Sequence, residues 1–219
     1  MHPKFSIAYS QVPEFINLAL LTDVNKIGPE LRKYYMEQGL NLIYEGTMRA
    51  TAGYVKMVKE YKEKGYDIEL DFMAVSKLES YGSSFLRYSI DLCNNNFPRW
   101  IARNVHDEAY ENMITTLEEL SKQSLFDSAR VYCRGNDEEQ NPIKIYSTEE
   151  RQFGSVKETI LYGREKDRRK AIEDYPMKYE IVSNIFSNYA PELLPKLNEW
   201  EELYENEKRN LKSEVQERN

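Results

Sequence analysis

The sequence predicts an α/β fold organised around a parallel β-sheet. Short apolar runs of strand length alternate with longer segments in which apolar residues recur at helical spacing. Glycine, asparagine and proline stand at the junctions, where turns and helix ends are expected. Strands that alternate with helices are typical of βαβ units, in which helical crossovers join parallel strands. With 219 residues, 41% of them apolar, the chain has room for one domain with its own core and an appendage.

The first elements along the chain are a helix, a strand, a second helix and a second strand. A helix is predicted from about Pro29, because proline suits a first helical position. Residues 40–44 (LNLIY) are a short apolar run after a glycine, which predicts a buried strand. Residues 51–64 carry apolar side chains on one helical face, and Gly65 is expected to end that helix. Residues 68–75 (IELDFMAV) predict the second strand.

The middle of the chain predicts two more helices and two more strands. Helical spacing of apolar residues covers 78–92 and 107–123, and the second segment has acidic residues in its first turns, which suits the helix dipole. Residues 129–133 are a third strand candidate and residues 143–146 a short fourth one, separated by the polar turn 135–140.

The last third of the chain, residues 149–219, is richer in charged residues and predicts a helical extension. Pro176, Pro191 and Pro195 are expected to break its helices. Residues 199–219 predict a solvated helix with one apolar stripe, and partner binding is the alternative interpretation. The stripe consists of Trp200, Leu203, Tyr204, Leu211 and Val215.

Composition and charge exclude several function classes. The chain has 30 basic and 37 acidic side chains and a net charge of −7, which disfavours general binding to nucleic acid or to an anionic membrane. No apolar run approaches the roughly 20 residues that span a bilayer, and the first residues lack the features of a secretory signal. Two cysteines and two histidines are too few for a disulfide framework or a zinc site. A cytoplasmic localisation and no structural metal are therefore expected.

The strand order also predicts where a ligand would bind. In parallel sheets, ligands bind outside the carboxyl ends of the strands, which here means residues 45–49, Ser76 and Lys77. Glu45 follows an apolar strand directly and precedes a glycine, so it could accept hydrogen bonds from ligand hydroxyls. The alternative is a turn carboxylate that caps the next helix.

Three arginines and one His-Asp pair are further candidates. Arg87, Arg99 and Arg103 would suit phosphate oxygens if they converged, whereas ordinary surface arginines are the commoner case. His106 and Asp107 invite comparison with metal phosphohydrolases, but such sites need several more histidine and aspartate ligands. Helix support by Asp107 and local hydrogen bonding by His106 are the favoured interpretations.

Four long blocks and one short one carry a family resemblance. The first two are QGLNLIYEGTMRAT (residues 38–51) and KGYDIELDFMAVSKLESYGSSFLRY (64–88). The next are FPRWIARNVHDEAYENM (97–113) and LEELSKQSLFDSARVYCR (117–134), followed by KIYS (144–147). In this order they resemble zeta toxins, the kinase half of epsilon–zeta toxin–antitoxin systems. The resemblance covers most of residues 2–147 in the family's order and implies a three-layer fold like that of P-loop kinases.

The resemblance implies a specific kinase activity. Zeta toxins transfer the γ-phosphoryl group of ATP, with Mg²⁺, to the 3′-hydroxyl of the N-acetylglucosamine in a UDP-sugar. By position, Arg87 matches the first family arginine at the transferring phosphate. Arg99 matches the second because it keeps the family's distance to His-Asp, and Arg103 is the rival. The family's sugar-nucleotide segment EGT-x-R corresponds to Glu45, Thr47 and Arg49.

The sequence departs from the family at its start. The phosphate-loop string G-x-x-x-x-G-K-[ST] does not occur in it, nor does the family's catalytic aspartate. We therefore expect a kinase core lacking the Walker A segment over residues 1–148, a charged helical extension over 149–219, and no kinase activity from this polypeptide alone. The parallel sheet should be incomplete at the N-terminus, with its gap filled by residues 6–9, by residues 15–21, or by another chain.

Three functions remain open on these grounds. The first is a zeta-type kinase that is inactive alone, so that ATP and Mg²⁺ are not bound by this chain by itself. The second is a non-catalytic protein that still binds a UDP-sugar. The third is an interaction protein whose acidic face or charged tail binds a small helical antitoxin or another partner, with no role for nucleic acid or a membrane.

Overall fold

The structure, a computed structural model, describes residues 16–94, 96, 98–135, 142–148 and 154–217. Its centre is a three-stranded sheet in the order β1 (Glu69–Met73), β2 (Ser128–Cys133) and β3 (Ile143–Ser147). Strands β1 and β2 are parallel, and β2 and β3 are antiparallel. The predicted α/β class is confirmed, but the sheet is mixed because the short final strand β3 runs antiparallel to β2.

Helices make up most of the rest of the described chain. They are α1 (Ile16–Glu37), α2 (Thr51–Glu63), α3 (Lys77–Cys93), α4 (Arg103–Lys122), α5 (Val156–Tyr189) and α6 (Leu197–Glu217), with a 3₁₀ helix at Pro191–Lys196. Helices α3 and α4 form the crossover that a parallel β1–β2 pair requires.

Three apolar clusters hold these elements together. The first joins the sheet to α4 and α5 through Phe72, Val131, Leu117 and Ile160. The second packs α2 against the end of α4. The third joins α3 to α5 and α6 and contains the largest buried aromatic side chains, Tyr81, Phe85, Phe186 and Trp200. Helices from the charged last third therefore share a core with the residues that precede them.

Two glycines allow the C-terminal helices to approach this closely. A Cβ at Gly82 of α3 would lie 2.5 Å from the Trp200 ring, which stacks on Phe85 with 5.3 Å between ring centroids. A Cβ at Gly163 of α5 would lie 2.6 Å from the Cβ of Ala74, at the end of β1. A larger residue at either position would push α5 or α6 away from the core.

The prediction of a strand at residues 40–44 is wrong. These residues have no regular secondary structure and pair with no strand among those described, and the Ile43 side chain is 98% exposed. A strand forms only where a neighbour satisfies its backbone groups, and β1 has β2 as its only partner within the described ranges. The apolar run thus lacks the ladder that it would need.

The N-terminal helix also differs from its prediction. Helix α1 begins at Ile16 and runs through Pro29, so that proline lies inside the helix rather than at its start. Residues 16–21 are helical and cannot supply the missing strand. Residues 6–9, the other part of this chain considered for that role, lie outside the described residues.

The proline at position 176 does not break its helix as predicted. Helix α5 continues through Pro176 because buried residues anchor it on both sides, with Ala171 and Tyr175 before the proline and Val182 and Phe186 after it. Burial of these side chains outweighs the cost of about 3 kcal/mol for an interior proline. The expected break occurs at Pro191, directly after α5 ends.

No helix within the described ranges is both long enough and apolar enough to cross a lipid bilayer.

The contact between Gly82 and Trp200 can be tested by adding one methyl group. Gly82→Ala should lower the free energy of unfolding by about 1–3 kcal/mol, because overpacking outweighs the gain of about 1 kcal/mol that alanine brings to a helix. Gly53→Ala on α2 is the control, since its nearest neighbour would lie 3.8 Å away, and it should stabilise the protein. Urea unfolding measures both variants, and equal stabilisation by both would contradict the packing.

Candidate functional site

The carboxyl end of β1 is closed by the first turn of α3. Ser76 caps that helix, with its Oγ accepting a hydrogen bond from the Glu79 backbone N–H at 3.3 Å. The Ser76 backbone N–H donates to Asp167 Oδ2 of α5 at 2.8 Å. Helix α5 therefore lies over the strand end at which the sequence predicts a ligand.

Lys77 is the first cation of this site. Its ammonium lies 3.3 Å from Asp107 Oδ2 and 3.0 Å from Glu111 Oε1, both on α4. The sequence places Asp107 and Glu111 four residues apart, so they share one helical face. The pair neutralises the lysine and ties α3 to α4.

Beside this lysine, Ser80, His106 and Asp107 form a hydrogen-bonded chain. His106 is buried, with Nε2 3.0 Å from Ser80 Oγ and Nδ1 3.1 Å from Asp107 Oδ1. The expectation that His106 bonds locally is confirmed. Helix α4 begins at Arg103, so Asp107 lies beyond the first turn.

Burial sets the protonation of this chain. Desolvation lowers the pKa of His106 by more than Asp107 raises it, so the ring is neutral at pH 7. Desolvation alone would raise the pKa of Asp107, but hydrogen bonds from His106 and Arg103 outweigh it and lower that pKa. Because an ionised Asp107 can only accept, His106 Nδ1 carries the proton and Ser80 Oγ donates to Nε2.

Arg103 connects the same aspartate to α6. Its Nε donates to Asp107 Oδ2 at 2.9 Å and its Nη1 donates to the Glu199 carbonyl at 2.7 Å. The guanidinium also lies 5.0 Å from the centre of the Tyr81 ring. Beside Arg103, a cavity of about 600 Å³ opens between the start of α4 and α6.

Residues 45–49 contact α4 on the turns that follow His106 and Asp107 along that helix. Thr116 Oγ1 donates to the Met48 carbonyl at 2.7 Å, and Asn112 Nδ2 donates to the Arg49 carbonyl at 2.9 Å. Arg49 Nε lies 3.9 Å from Glu108 Oε2. Met48 adopts a left-handed conformation with φ of 55°, which the two hydrogen bonds hold in place.

The predicted site residues are only partly brought together. Glu45, Arg87 and Arg99 are exposed, and no hydrogen bond or ion pair between described residues joins them. Arg87 lies on the outer face of α3, and Arg99 lies in the loop before α4. Arg103, the alternative to Arg99, is the one that contacts the hydrogen-bonded chain of Ser80, His106 and Asp107.

Arg134 is a candidate that the sequence reasoning did not single out. It directly follows β2 and donates to Glu79 Oε1 and to Ser83 Oγ, both at 2.7 Å. Glu79 is buried and also pairs with Lys178 of α5 at 2.5 Å. Ligands bind at the carboxyl ends of parallel strands, and the same rule applied to β2 predicts Arg134 as a site residue. Lys178 could not be predicted in this way, because it lies on α5 and no local sequence pattern places that helix at the strand end.

The described residues do not fit the ATP and Mg²⁺ that the family resemblance implies. The turn after β1 has no glycine loop, and its Ser76 N–H already donates to the carboxylate of Asp167. A phosphate there would meet that negative charge and find Lys77 already paired. No group of three or more His, Cys, Asp or Glu side chains in the described part of the chain could hold a metal ion.

Comparison with known proteins identifies relatives over most of the chain. The family model described as Zeta toxin matches residues 1–151. Toxin zeta of Enterococcus hirae and toxin zeta of Streptococcus pyogenes are each 34% identical over 160 residues, which is 73% of this chain and 54% of theirs. Toxin PezT of Streptococcus pneumoniae serotype 4 is 28% identical over 95 residues, which is 43% of this chain and 38% of that protein. The chain thus spans about half the length of the curated relatives it matches.

A solved structure extends the likeness in fold. A chain from the PezAT chromosomal toxin–antitoxin system of the human pathogen Streptococcus pneumoniae superimposes with a TM-score of 0.66 and 18% identity. The match covers 84% of this chain and 71% of that chain. Because 84% of 219 residues exceeds the 151 matched by the family model, the shared fold continues into the helical last third.

The buried His106 predicts a pH-dependent stability. Because its pKa is lower in the folded state, the unfolded chain binds a proton first, so stability is full above about pH 6.5 and falls as the pH drops below it. The pKa of Asp107 is also lowered in the folded state, so its contribution to stability is lost only below about pH 3.8 and does not change between pH 7.5 and 5.5. Urea unfolding at pH 7.5 and 5.5 should show a smaller loss on acidification for His106→Gln than for the unsubstituted protein.

The control for this measurement is His2→Gln, which removes the chain's other histidine. It should leave the loss of stability on acidification unchanged. An identical loss in His106→Gln would show that His106 is not the titrating group.

Proposed function

The chain belongs to the zeta toxin family, and from that premise we propose that it is the UDP-sugar-binding part of an ATP-dependent kinase. The acceptor is the 3′-hydroxyl of the N-acetylglucosamine in UDP-N-acetylglucosamine. The 219-residue polypeptide alone is proposed to bind this sugar nucleotide without phosphorylating it.

The observation that carries this proposal is the fixed position of residues 45–49. Hydrogen bonds from Thr116 and Asn112 hold the backbone of this segment on α4. The same helix carries Asp107, which pairs with Lys77 at the carboxyl end of β1. The segment is thus fixed on the helix whose first turns reach the carboxyl end of β1, and its Glu45 and Thr47 side chains are exposed to solvent.

The lack of a phosphate-loop string in the 219 residues supports the proposed lack of activity. Phosphoryl transfer needs a cradle of backbone N–H groups and an unpaired lysine at the donor phosphates. The end of β1 does not replace that loop, because the N–H of Ser76 and the ammonium of Lys77 already have carboxylate partners. Arginines stabilise a transferring phosphate only after the donor is bound, so Arg87 and Arg99 cannot compensate.

A phosphotransfer assay with ATP, Mg²⁺ and UDP-N-acetylglucosamine tests the inactivity. We expect no product above the rate without protein. Turnover that disappears in Arg87→Met but persists in Arg209→Met, an exposed arginine of α6, would contradict the proposal.

Calorimetry with UDP-N-acetylglucosamine tests binding. The protein should bind the nucleotide, and Arg49→Met should weaken the affinity by about tenfold, because one charge-assisted hydrogen bond is worth about 1.5 kcal/mol or more. Arg209→Met should bind as tightly as the unsubstituted protein. Absence of heat at millimolar ligand would remove the sugar-nucleotide proposal.

An antitoxin partner is the second candidate function. The structural relative belongs to a toxin–antitoxin system, and helix α1 exposes Ile27, Leu31 and Tyr34 on one face at helical spacing. Such a face suits an amphipathic helix of a small antitoxin. Copurification of the two proteins distinguishes this role from sugar-nucleotide binding.

A further inference from the structure

Large apolar side chains are exposed along residues 27–44, from the second half of α1 to the apolar run that follows it. Seven of them belong to this surface: Ile27, Leu31, Tyr34, Tyr35, Leu40, Ile43 and Tyr44. Because they are a little over half exposed on average, they present on the order of 700 Å² to solvent. The largest apolar patch on a typical monomeric protein is about 300–600 Å².

The helix and the run after it form one continuous surface. The Tyr34 and Tyr35 rings contact each other with 5.6 Å between their centroids. The Leu40 backbone N–H donates to the Tyr35 carbonyl at 3.2 Å, which turns the chain at the end of α1. The guanidinium of Arg32 then lies 5.4 Å from the centre of the Tyr44 ring, so the run returns alongside the helix.

The described part of the chain does not cover this surface. Helix α1 contacts α2 through a different stripe, in which Arg32 Nη1 donates to Met57 Sδ at 2.7 Å and Met36 packs against the apolar cluster of α2. Ile27 and Leu31 each precede a residue of this inward stripe by one position, so they point to another side of the helix.

The backbone of the run is also without partners. Residues 41–44 form no hydrogen bond with another described backbone group. Leu42 packs inward against the cluster of α2, whereas Asn41 and Ile43 on either side of it are exposed. Side chains that alternate in this way beside free N–H and C=O groups are typical of an edge strand, which readily pairs with a second strand.

The charges of the surface favour a second copy of this chain as that partner. Residues 27–44 contain two acidic and two basic side chains, Glu30, Glu37, Arg32 and Lys33, whereas the whole chain has a net charge of −7. Two copies can therefore meet here without the repulsion that two acidic surfaces would cause. A strongly charged partner would gain no attraction from this surface.

We propose that the surface of residues 27–44 is the interface of a homodimer, in which residues 41–44 of the two copies pair as antiparallel strands. A twofold axis brings identical segments together in opposite directions, which is the arrangement of an antiparallel pair. The pairing satisfies the free backbone groups and places the exposed face of each α1 at the interface. The area of about 700 Å² from each copy is close to the roughly 800 Å² per partner of a stable interface.

This interface goes beyond the proposed function, because it requires neither sugar-nucleotide binding nor phosphoryl transfer. A monomer that binds UDP-N-acetylglucosamine would overturn the dimer alone, so the two proposals can fail separately. Ile27, Leu31 and Tyr34 are also the residues available to an antitoxin helix, so the dimer and an antitoxin complex exclude each other.

The first test is sedimentation equilibrium over a range of protein concentrations. At about 50 µM the protein should have twice the chain mass of 25.9 kDa. Ile43→Asp should raise the dissociation constant of the dimer at least tenfold, because it brings a charge into an apolar interface. Ile90→Asp, the same exchange at a 55% exposed position of α3, should leave it unchanged.

Hydrogen exchange is the second measurement, and it tests the strand pairing itself. At about 100 µM, the amides of residues 41–44 should exchange more slowly in the unsubstituted protein and in Ile90→Asp than in Ile43→Asp, after correction for intrinsic rates. The 98% exposure of Ile43 means that its replacement should leave the circular dichroism spectrum unchanged. A monomer at about 100 µM, assemblies larger than a dimer, equal dissociation constants for the two variants, or unprotected amides at 41–44 would each overturn the proposal.

Discussion

The position of the Trp200 ring against the backbone of Gly82 determines much of the structure. Because Gly82 has no side chain, the indole reaches α3 itself and stacks on Phe85. Gly163 allows the same closeness between α5 and the end of β1. Helix α3 starts where β1 ends, so these two contacts place the C-terminal helices directly over the sheet edge at which a ligand is expected.

That placement also decides the charges of the site. Asp167 reaches the first turn of α3 only because α5 lies over β1, and the carbonyl of Glu199 reaches Arg103 only because α6 lies on α3. The aspartate takes the N–H that an anion would otherwise use. The C-terminal helices thus modify a site whose other residues come from the part of the chain that resembles zeta toxins.

Local patterns predicted most elements but not the sheet. The helices at 51–64 and 78–92 and the strands at 68–75 and 129–133 were found because apolar periodicity reports burial directly. Residues 40–44 have the same apolar character, yet a strand also needs a neighbour, and composition does not reveal whether one is present. The antiparallel direction of β3 and the continuation of α5 through Pro176 likewise depend on packing between distant elements.

Some residues of the candidate site could likewise be predicted from local patterns, and others could not. Residues 45–49, Ser76 and Lys77 could be predicted because a strand end is visible in the sequence. Asp167 and Lys178 could not, because both lie on a charged helix far along the chain, and only the fold brings them to the Ser76 N–H and to Glu79. Both side chains reach the end of β1 because α5 packs closely over that strand at Gly163. The interactions that complete the site therefore depend on packing between distant parts of the chain, which no local residue pattern reports.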